Sequence, residues 1–127
     1  MELSGTGQRE AFLDALDGAI AAYPEDVELW IWRGKAFGTS QACIPYQLAA
    51  LRIQPDHPSP NHELVHAYEG VDRPALGWKH TEAYRASAPN MPHANHMQAH
   101  LAMRLGRWQE AIDCTRSSRR KSLDGFP

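Results

Sequence analysis

The histidines of this sequence are the residues whose type and spacing most clearly indicate chemistry. All seven lie between positions 57 and 100 of the 127-residue chain. His62 and His66 form a pair with i, i+4 spacing, and His96 and His100 form a second. On a helix this spacing places both rings of a pair on one face. Imidazole nitrogen binds zinc, copper, iron and nickel, so the two pairs together predict a transition-metal site.

Two further residues lie one helical turn from these pairs. Glu69 comes three residues after His66, and His93 comes three residues before His96. They would allow a site with five ligands or with two metal ions, and a carboxylate ligand would favour iron or manganese over zinc. The candidate metal ligands are therefore His62, His66, His93, His96, His100 and Glu69. The expected cofactor is a divalent transition metal, with zinc as the first choice and iron, manganese, copper or nickel as alternatives.

Residues 62–66 also match the His-Glu-x-x-His signature of zinc peptidases, in which Glu63 would be the general base. A five-residue match is frequent by chance, and such peptidases need a substrate-binding strand that this sequence does not predict. The residues leave open whether the metal would be catalytic or structural. An open site near Glu63 or Glu69 would activate water or dioxygen, whereas a closed four-histidine site would be structural. His57 and His80 are interpreted as ordinary solvated or hydrogen-bonded residues.

Helices must position these side chains, because apolar residues recur with helical spacing throughout the chain. No run of β-branched residues alternates with polar residues for long enough to predict a strand. Pro24, Pro55 and Pro89 each follow an apolar stripe and predict its end. Seven stripes predict an all-α fold of seven short helices, at residues 12–23, 29–37, 48–53, 64–68, 78–84, 97–105 and 108–112. We expect residues 121–127 to form a frayed tail.

The three prolines are 31 and 34 residues apart, which indicates an internal repeat. The repeat residues are Trp30, Gly34, Ala36, Phe37 and Pro55 in one unit, and Ala99 and the run Gly106–Ala111 in the last. On these residues the chain resembles the tetratricopeptide repeat family over about residues 8–120, although Asp72-Arg73-Pro74 replaces the usual turn of the central unit. The resemblance implies a right-handed α-solenoid of about three helix pairs, and hence a single domain over residues 1–127.

The resemblance also implies how the histidines are arranged. In this family the first helix of each pair lines a concave groove, so His62 would neighbour His96, and His66 would neighbour His100. The commonest use of the family is to bind a protein or peptide in that groove. A non-enzymatic interaction module is therefore the alternative to a metal-binding protein. An uncapped terminal repeat could also form a homodimer.

Charge and composition exclude several classes of function. The chain has 13 Lys and Arg against 15 Asp and Glu, a net charge of −2, which predicts no binding to nucleic acid or to an anionic membrane. No stretch approaches the ~20 apolar residues of a membrane-spanning helix, and residues 1–8 do not resemble a signal peptide. The two cysteines, Cys43 and Cys114, are predicted to be unpaired and are typical of a cytoplasmic protein.

Overall fold

Seven helices make up this computed structural model, which describes residues 5–124 and the side chains of residues 7–120. The helices are α1 (Gly5–Ala22), α2 (Val27–Lys35), α3 (Ile44–Ile53), α4 (Pro58–Gly70), α5 (Pro74–Ser87), α6 (Pro92–Arg104) and α7 (Trp108–Asp124). A short 3-10 turn at Gln41–Cys43 precedes α3, and no strand occurs in residues 5–124. The predicted all-α fold with seven helices is therefore confirmed.

The helices pack in consecutive pairs, and each pair packs on the next along the chain. The pairs are α2 with α3, α4 with α5, and α6 with α7, while α1 packs against α2 at the amino-terminal end of the stack. This arrangement is a helical solenoid, as the repeat predicted. Helices α4 and α6 are the first helices of the second and third pairs. Together they carry all six candidate metal ligands, and Glu63 is also on α4.

The same short turn precedes each pair and contains one of the three repeat prolines. In each turn, the residue two positions after the proline donates its amide to the carbonyl oxygen of the residue just before the proline. These hydrogen bonds run from Asp26 to Tyr23 at 3.1 Å, from His57 to Gln54 at 3.2 Å, and from Met91 to Ala88 at 3.0 Å. Because proline cannot continue a helix, these turns end α1, α3 and α5. The prediction that Pro24, Pro55 and Pro89 mark helix ends is therefore confirmed.

The principal apolar core lies where α4, α5 and α6 meet. It consists of Val65, Tyr84, Ala94, Met97 and Leu101, all of them buried. Gly77 on α5 allows this close packing, because a Cβ at that position would lie 3.3 Å from Leu101 Cδ1. Gly34 does the same between α2 and α3, where a Cβ would lie 2.6 Å from Gln47 Nε2. The repeat positions with very small residues are thus positions of close helix contact.

The remaining predictions about the chain concern its ends and its cysteines. Helix α7 continues to Asp124, so residues 121–124 are helical rather than frayed, while residues 125–127 lie outside the described residues. No glycine or proline interrupts the sequence between Trp108 and Asp124, which explains the length of this helix. Cys43 and Cys114 are both free and buried, as predicted. None of the described helices combines the length and the apolar character needed to span a bilayer.

Candidate metal centre

Three histidines from two helices form the closest cluster of potential ligand atoms among the described residues. His62 and His66 lie on α4, and His93 is the second residue of α6. The Nε2 atom of His62 is 3.2 Å from Nε2 of His66 and 3.1 Å from Nε2 of His93. One nitrogen from each ring lies within 4.8 Å of the other two. We call His62, His66 and His93 the histidine triad.

Two of the three nitrogen–nitrogen separations match the dimensions of a small metal site. Zinc bound at 2.0–2.1 Å by tetrahedral imidazole ligands has about 3.3 Å between neighbouring nitrogens. The Nε2 atom of His62 lies close to that distance from Nε2 of His66, at 3.2 Å, and from Nε2 of His93, at 3.1 Å. Three nitrogens occupy three corners of a tetrahedron, so a fourth position would be left for water, for another side chain or for a bound molecule.

The electrostatic environment keeps this site free of competing protons. The pKa of His62 is lowered to about 4, chiefly by burial and in addition by the neighbouring His66, His93 and Lys35. Partial desolvation and the nearby histidine rings, first that of His96, also lower the pKa of His93. At neutral pH both rings are therefore neutral and have a nitrogen lone pair, which a metal ligand requires.

The structure places His93, rather than His96, in contact with His62. Helix α5 packs against both α4 and α6, which contact each other much less. Near their amino-terminal ends the two helices are close enough for His62 and His93 to touch. Near their carboxyl-terminal ends the longer Arg104 side chain spans the gap, and its Nη2 donates to the carbonyl oxygen of Glu69 at 3.4 Å. The resemblance implied His96 as the neighbour of His62, and the contact is made by His93 instead.

The other predicted ligands lie around the triad rather than in it. His96 and His100 are exposed on α6, with ring centroids 4.6 Å apart, and the His96 ring stacks on His93 at 5.9 Å. Beside them is an open cavity of about 670 Å³, which we call the histidine groove. Its lining includes His66, Glu69, His93, His96, His100 and Arg104. The groove therefore collects five of the six predicted ligands, whereas His62 lines a neighbouring cavity.

Glu63 lies on a different side of His62 from the rest of the triad. Its Oε1 atom is 3.7 Å from Nδ1 of His62, whereas Nε2 of that ring faces His66 and His93. Glu63 lines a second, smaller cavity of about 410 Å³ together with Lys35 and Tyr84. This position does not suit a base acting on water in the histidine groove, and it suits a group that orients the His62 ring.

The two histidines interpreted as ordinary residues have hydrogen-bond partners elsewhere. His57 places Nε2 3.0 Å from Glu28 Oε1, and its Nδ1 accepts from the Ser59 amide. His80 is only 4% exposed, and its Nδ1 lies 2.9 Å from Asn61 Oδ1. The interpretation of both as hydrogen-bonded residues is confirmed.

One residue next to the triad was not identified from the sequence. The ring of Tyr84 on α5 is 5.4 Å from the ring of His62 and 6.4 Å from that of His93. Tyr84 is 7% exposed, so it forms an apolar floor beneath the two imidazoles. The only signal in the sequence was its place in an apolar helical stripe, which predicts packing but no neighbour.

Comparisons with known proteins identify the fold. No family model matches this chain, and no curated protein matches it. Among solved structures, MamA MSR-1 is similar with a TM-score of 0.77 and 14% identity, over 95% of this chain and 71% of that one. MamA AMB-1 has a TM-score of 0.80 and 15% identity, over 94% and 67%. A MamA RS-1 double mutant has a TM-score of 0.80 and 18% identity, over 91% and 67%.

At these identities the similarity concerns the fold. The chain has the tetratricopeptide-repeat-like helical solenoid of the MamA structures. Fold alone does not assign a ligand, so the function must be argued from the side chains of the groove.

Proposed function

We propose that this protein binds a divalent transition metal through His62, His66 and His93. The observation that carries the proposal is the convergence of three imidazole nitrogens from two helices within 4.8 Å. Neutral imidazoles in this arrangement form a preorganised set of borderline ligands, and zinc is the ion whose dimensions fit best. His96, His100 and Glu69 are the protein groups of the groove that could supply a further ligand.

The site is open, because the triad borders a groove rather than a closed cavity. Two of its members, His66 and His93, line the histidine groove, and His93 is exposed. An ion held there would keep a coordination position accessible to water or to a donor from another molecule. The proposal is therefore a metal-binding solenoid in which the ion faces the groove.

Metal stoichiometry measured on single variants tests this proposal. Purified protein is stripped with chelator, loaded with zinc, dialysed, and measured for metal per chain, and zinc affinity is obtained by calorimetry. We expect one bound zinc in the wild type and loss of most of it in His62→Ala, His66→Ala and His93→Ala. His57→Ala is the matched control, because His57 directly precedes α4 but its ring bonds to Glu28. A wild type without stoichiometric zinc, or equal loss in His57→Ala, would overturn the proposal.

A second set of variants separates the triad from the outer donors. If the triad holds the ion, His96→Ala, His100→Ala and Glu69→Ala weaken zinc binding less than His62→Ala does. If one of these residues is the fourth ligand, its loss stands out from the other two. Equal effects at all six positions would indicate a site centred further into the groove than the triad.

The alternative function is peptide binding in the same groove, and the charged lining favours it as a second candidate. Arg104 and Glu69 flank the histidines in an open cavity of about 670 Å³ on a protein-interaction fold. A peptide selected from a displayed random library should lose affinity in Arg104→Glu and keep it in Arg52→Glu, a reversal outside the groove. Selection that yields no peptide with this dependence would reject the alternative.

A further inference from the structure

The carboxyl-terminal end of the solenoid exposes an apolar hollow that no described residue covers. An open cavity of about 410 Å³ lies on α6 and α7, lined mainly by apolar atoms of Met103, Trp108 and Ile112. These three side chains are 58%, 63% and 45% exposed. In the interior of the stack, the corresponding side of α5 is covered by α6. We call this hollow the carboxyl-terminal face.

The amino-terminal end exposes an apolar helix surface that could fill such a hollow. On α1, Leu16 is buried and faces the solenoid, whereas Ala11, Phe12 and Ala15 are exposed. Phe12 is 54% exposed, although its ring is the largest apolar group on this helix. We call Ala11, Phe12 and Ala15 the amino-terminal face.

The charges beside the two faces are opposite in sign. On α1, Glu10, Asp14 and Asp17 are exposed acidic residues against one arginine, Arg9, and Asp17 is paired with Arg33. Residues 104–120 contain five arginines and two acidic side chains, and all five arginines are exposed. Arg116 lines the carboxyl-terminal cavity itself. Arg116, Arg119 and Arg120 form no ion pair with another described side chain, so we take them to be available to a partner molecule.

We propose that copies of this chain associate head to tail, with the amino-terminal face of one copy packed on the carboxyl-terminal face of the next. Phe12 would enter the cavity between Trp108 and Ile112, and Glu10 and Asp14 would lie against Arg116 and Arg119. The two surfaces of one molecule are both apolar and are flanked by charges of opposite sign, which favours a second copy as the occupant. Such a contact joins unlike surfaces, so it is open-ended and can add further copies. It is independent of metal in the histidine groove.

Mass measured across concentration and salt provides the first test. Light scattering coupled to size exclusion should give the monomer mass of 14.2 kDa in dilute solution and rising averages at higher concentration. In about 1 M NaCl, where the Debye length is about 3 Å, the averages should fall towards the monomer. A monomer mass at every concentration in low salt would overturn the proposal.

Paired charge reversals then test the geometry of the contact. The tail variant carries Arg116→Glu and Arg119→Glu, and the head variant carries Glu10→Lys and Asp14→Lys. Each variant alone has like charges at both ends, so each should remain monomeric. An equimolar mixture should associate again, because both of its junctions pair opposite charges. Since recovery in the mixture requires folded chains, it also excludes misfolding as the cause of the lost association.

The competing geometries give different results in the same experiment. If the contact joined two carboxyl-terminal faces, the head variant would associate by itself. The average mass of the mixture would then not exceed that of the head variant. Failure of the mixture to associate while each variant keeps the circular dichroism and melting temperature of the wild type would overturn the head-to-tail contact. Glu82→Lys, an exposed reversal on α5, is the control and should leave the association unchanged.

The apolar part of the contact has a matched pair of variants. Ala15 on α1 and Ala86 on α5 are both exposed helical alanines, so a change to glutamine has little effect on folding at either position. Ala15→Gln should weaken the association at least tenfold, because it separates the two faces. Ala86→Gln should leave it unchanged, and equal effects of the two substitutions would contradict the proposed surface.

Discussion

Asp72 and Gly106 occupy equivalent positions in the turns that join α4 to α5 and α6 to α7. Both residues have a positive φ, 58° at Asp72 and 74° at Gly106. The same backbone hydrogen bond follows each residue. The amide of Arg73 donates to the carbonyl oxygen of Tyr68 at 2.8 Å, and the amide of Arg107 donates to the carbonyl oxygen of Ala102 at 2.8 Å. The unusual Asp72-Arg73-Pro74 sequence therefore forms the ordinary turn of the repeat. Aspartate tolerates this backbone region, although less readily than glycine.

The turn gives a first prediction about stability. Replacing Asp72 with glycine removes strain of about 1–2 kcal/mol and adds about 0.4–1 kcal/mol of unfolded-state entropy, so a net gain of about 0.5 kcal/mol is expected. Gly106→Ala should lose about 1 kcal/mol, since a Cβ there has free space and only the backbone is strained. Urea unfolding measures both, and a loss of stability in Asp72→Gly would contradict the argument.

Arg33 gives a second prediction, because it joins the first three helices. Its guanidinium lies 5.1 Å from the ring centroids of both Phe37 and Tyr46, and Nε donates to Asp17 Oδ1 at 2.8 Å. Lysine keeps the charge but cannot stack a planar group between two rings. Arg33→Lys should therefore lower the free energy of unfolding by about 1–2 kcal/mol. The exposed Arg52→Lys should change it by less than about 0.5 kcal/mol, and an equally small effect at Arg33 would be contrary evidence.

His80 makes stability depend on pH. Burial lowers its pKa to about 4, from an ordinary value of 6.5. Between these values the unfolded chain binds a proton that the folded chain does not, so the free energy of unfolding falls as pH drops from about 7 to about 4. His80→Gln keeps an N–H for Asn61 and should flatten the dependence of the melting temperature on pH. The slope that remains comes partly from His62, and an unchanged slope in His80→Gln would contradict the prediction.

Zinc should stabilise the folded chain if the triad binds it. A ligand at 100 times its dissociation constant adds about 2.7 kcal/mol, which corresponds to a rise of ~10 °C in the melting temperature of a chain this size. Chelator should reverse the rise, and a chain carrying His62→Ala and His66→Ala should show none. Scanning calorimetry checks this, and an equal rise in that double variant would show that zinc acts elsewhere.

The position of Glu63 leads to a prediction that separates orientation from catalysis. Because Glu63 faces Nδ1 of His62, its charge favours a proton on that atom and a lone pair on Nε2. Glu63→Gln should weaken zinc binding by up to about tenfold and shift the tautomer of His62 seen by nitrogen NMR in metal-free protein. Glu82→Gln is the exposed control. Unchanged zinc affinity together with lost hydrolytic activity would instead indicate a general base.

The sequence predicted the fold well because its turns are encoded locally. Pro24, Pro55 and Pro89 end helices through the chemistry of their own backbone, and their spacing sets the repeat. The extra turn at Gln41–Cys43 was not predicted, because no proline or glycine immediately marks its limits.

The site was predictable in its residue types but not in its pairing. Spacing placed His62 and His66 on one face of α4 correctly, since they share a helix. The choice between His93 and His96 as their neighbour depends on how α6 lies relative to α4, and a tertiary angle leaves no local signal. For the same reason, the sequence predicted that Tyr84 packs in a core but not that its ring lies beside His62.

The buried core is not shared evenly along the solenoid, and this has a consequence for hydrogen exchange. Its principal cluster belongs to α4, α5 and α6, whereas α1 leaves Phe12 mostly exposed. Amides in α4–α6 should therefore exchange with solvent most slowly, and local opening should begin at α1. The groove histidines thus lie on the segment that is last to open, so their relative positions persist through the partial unfolding of the amino-terminal end.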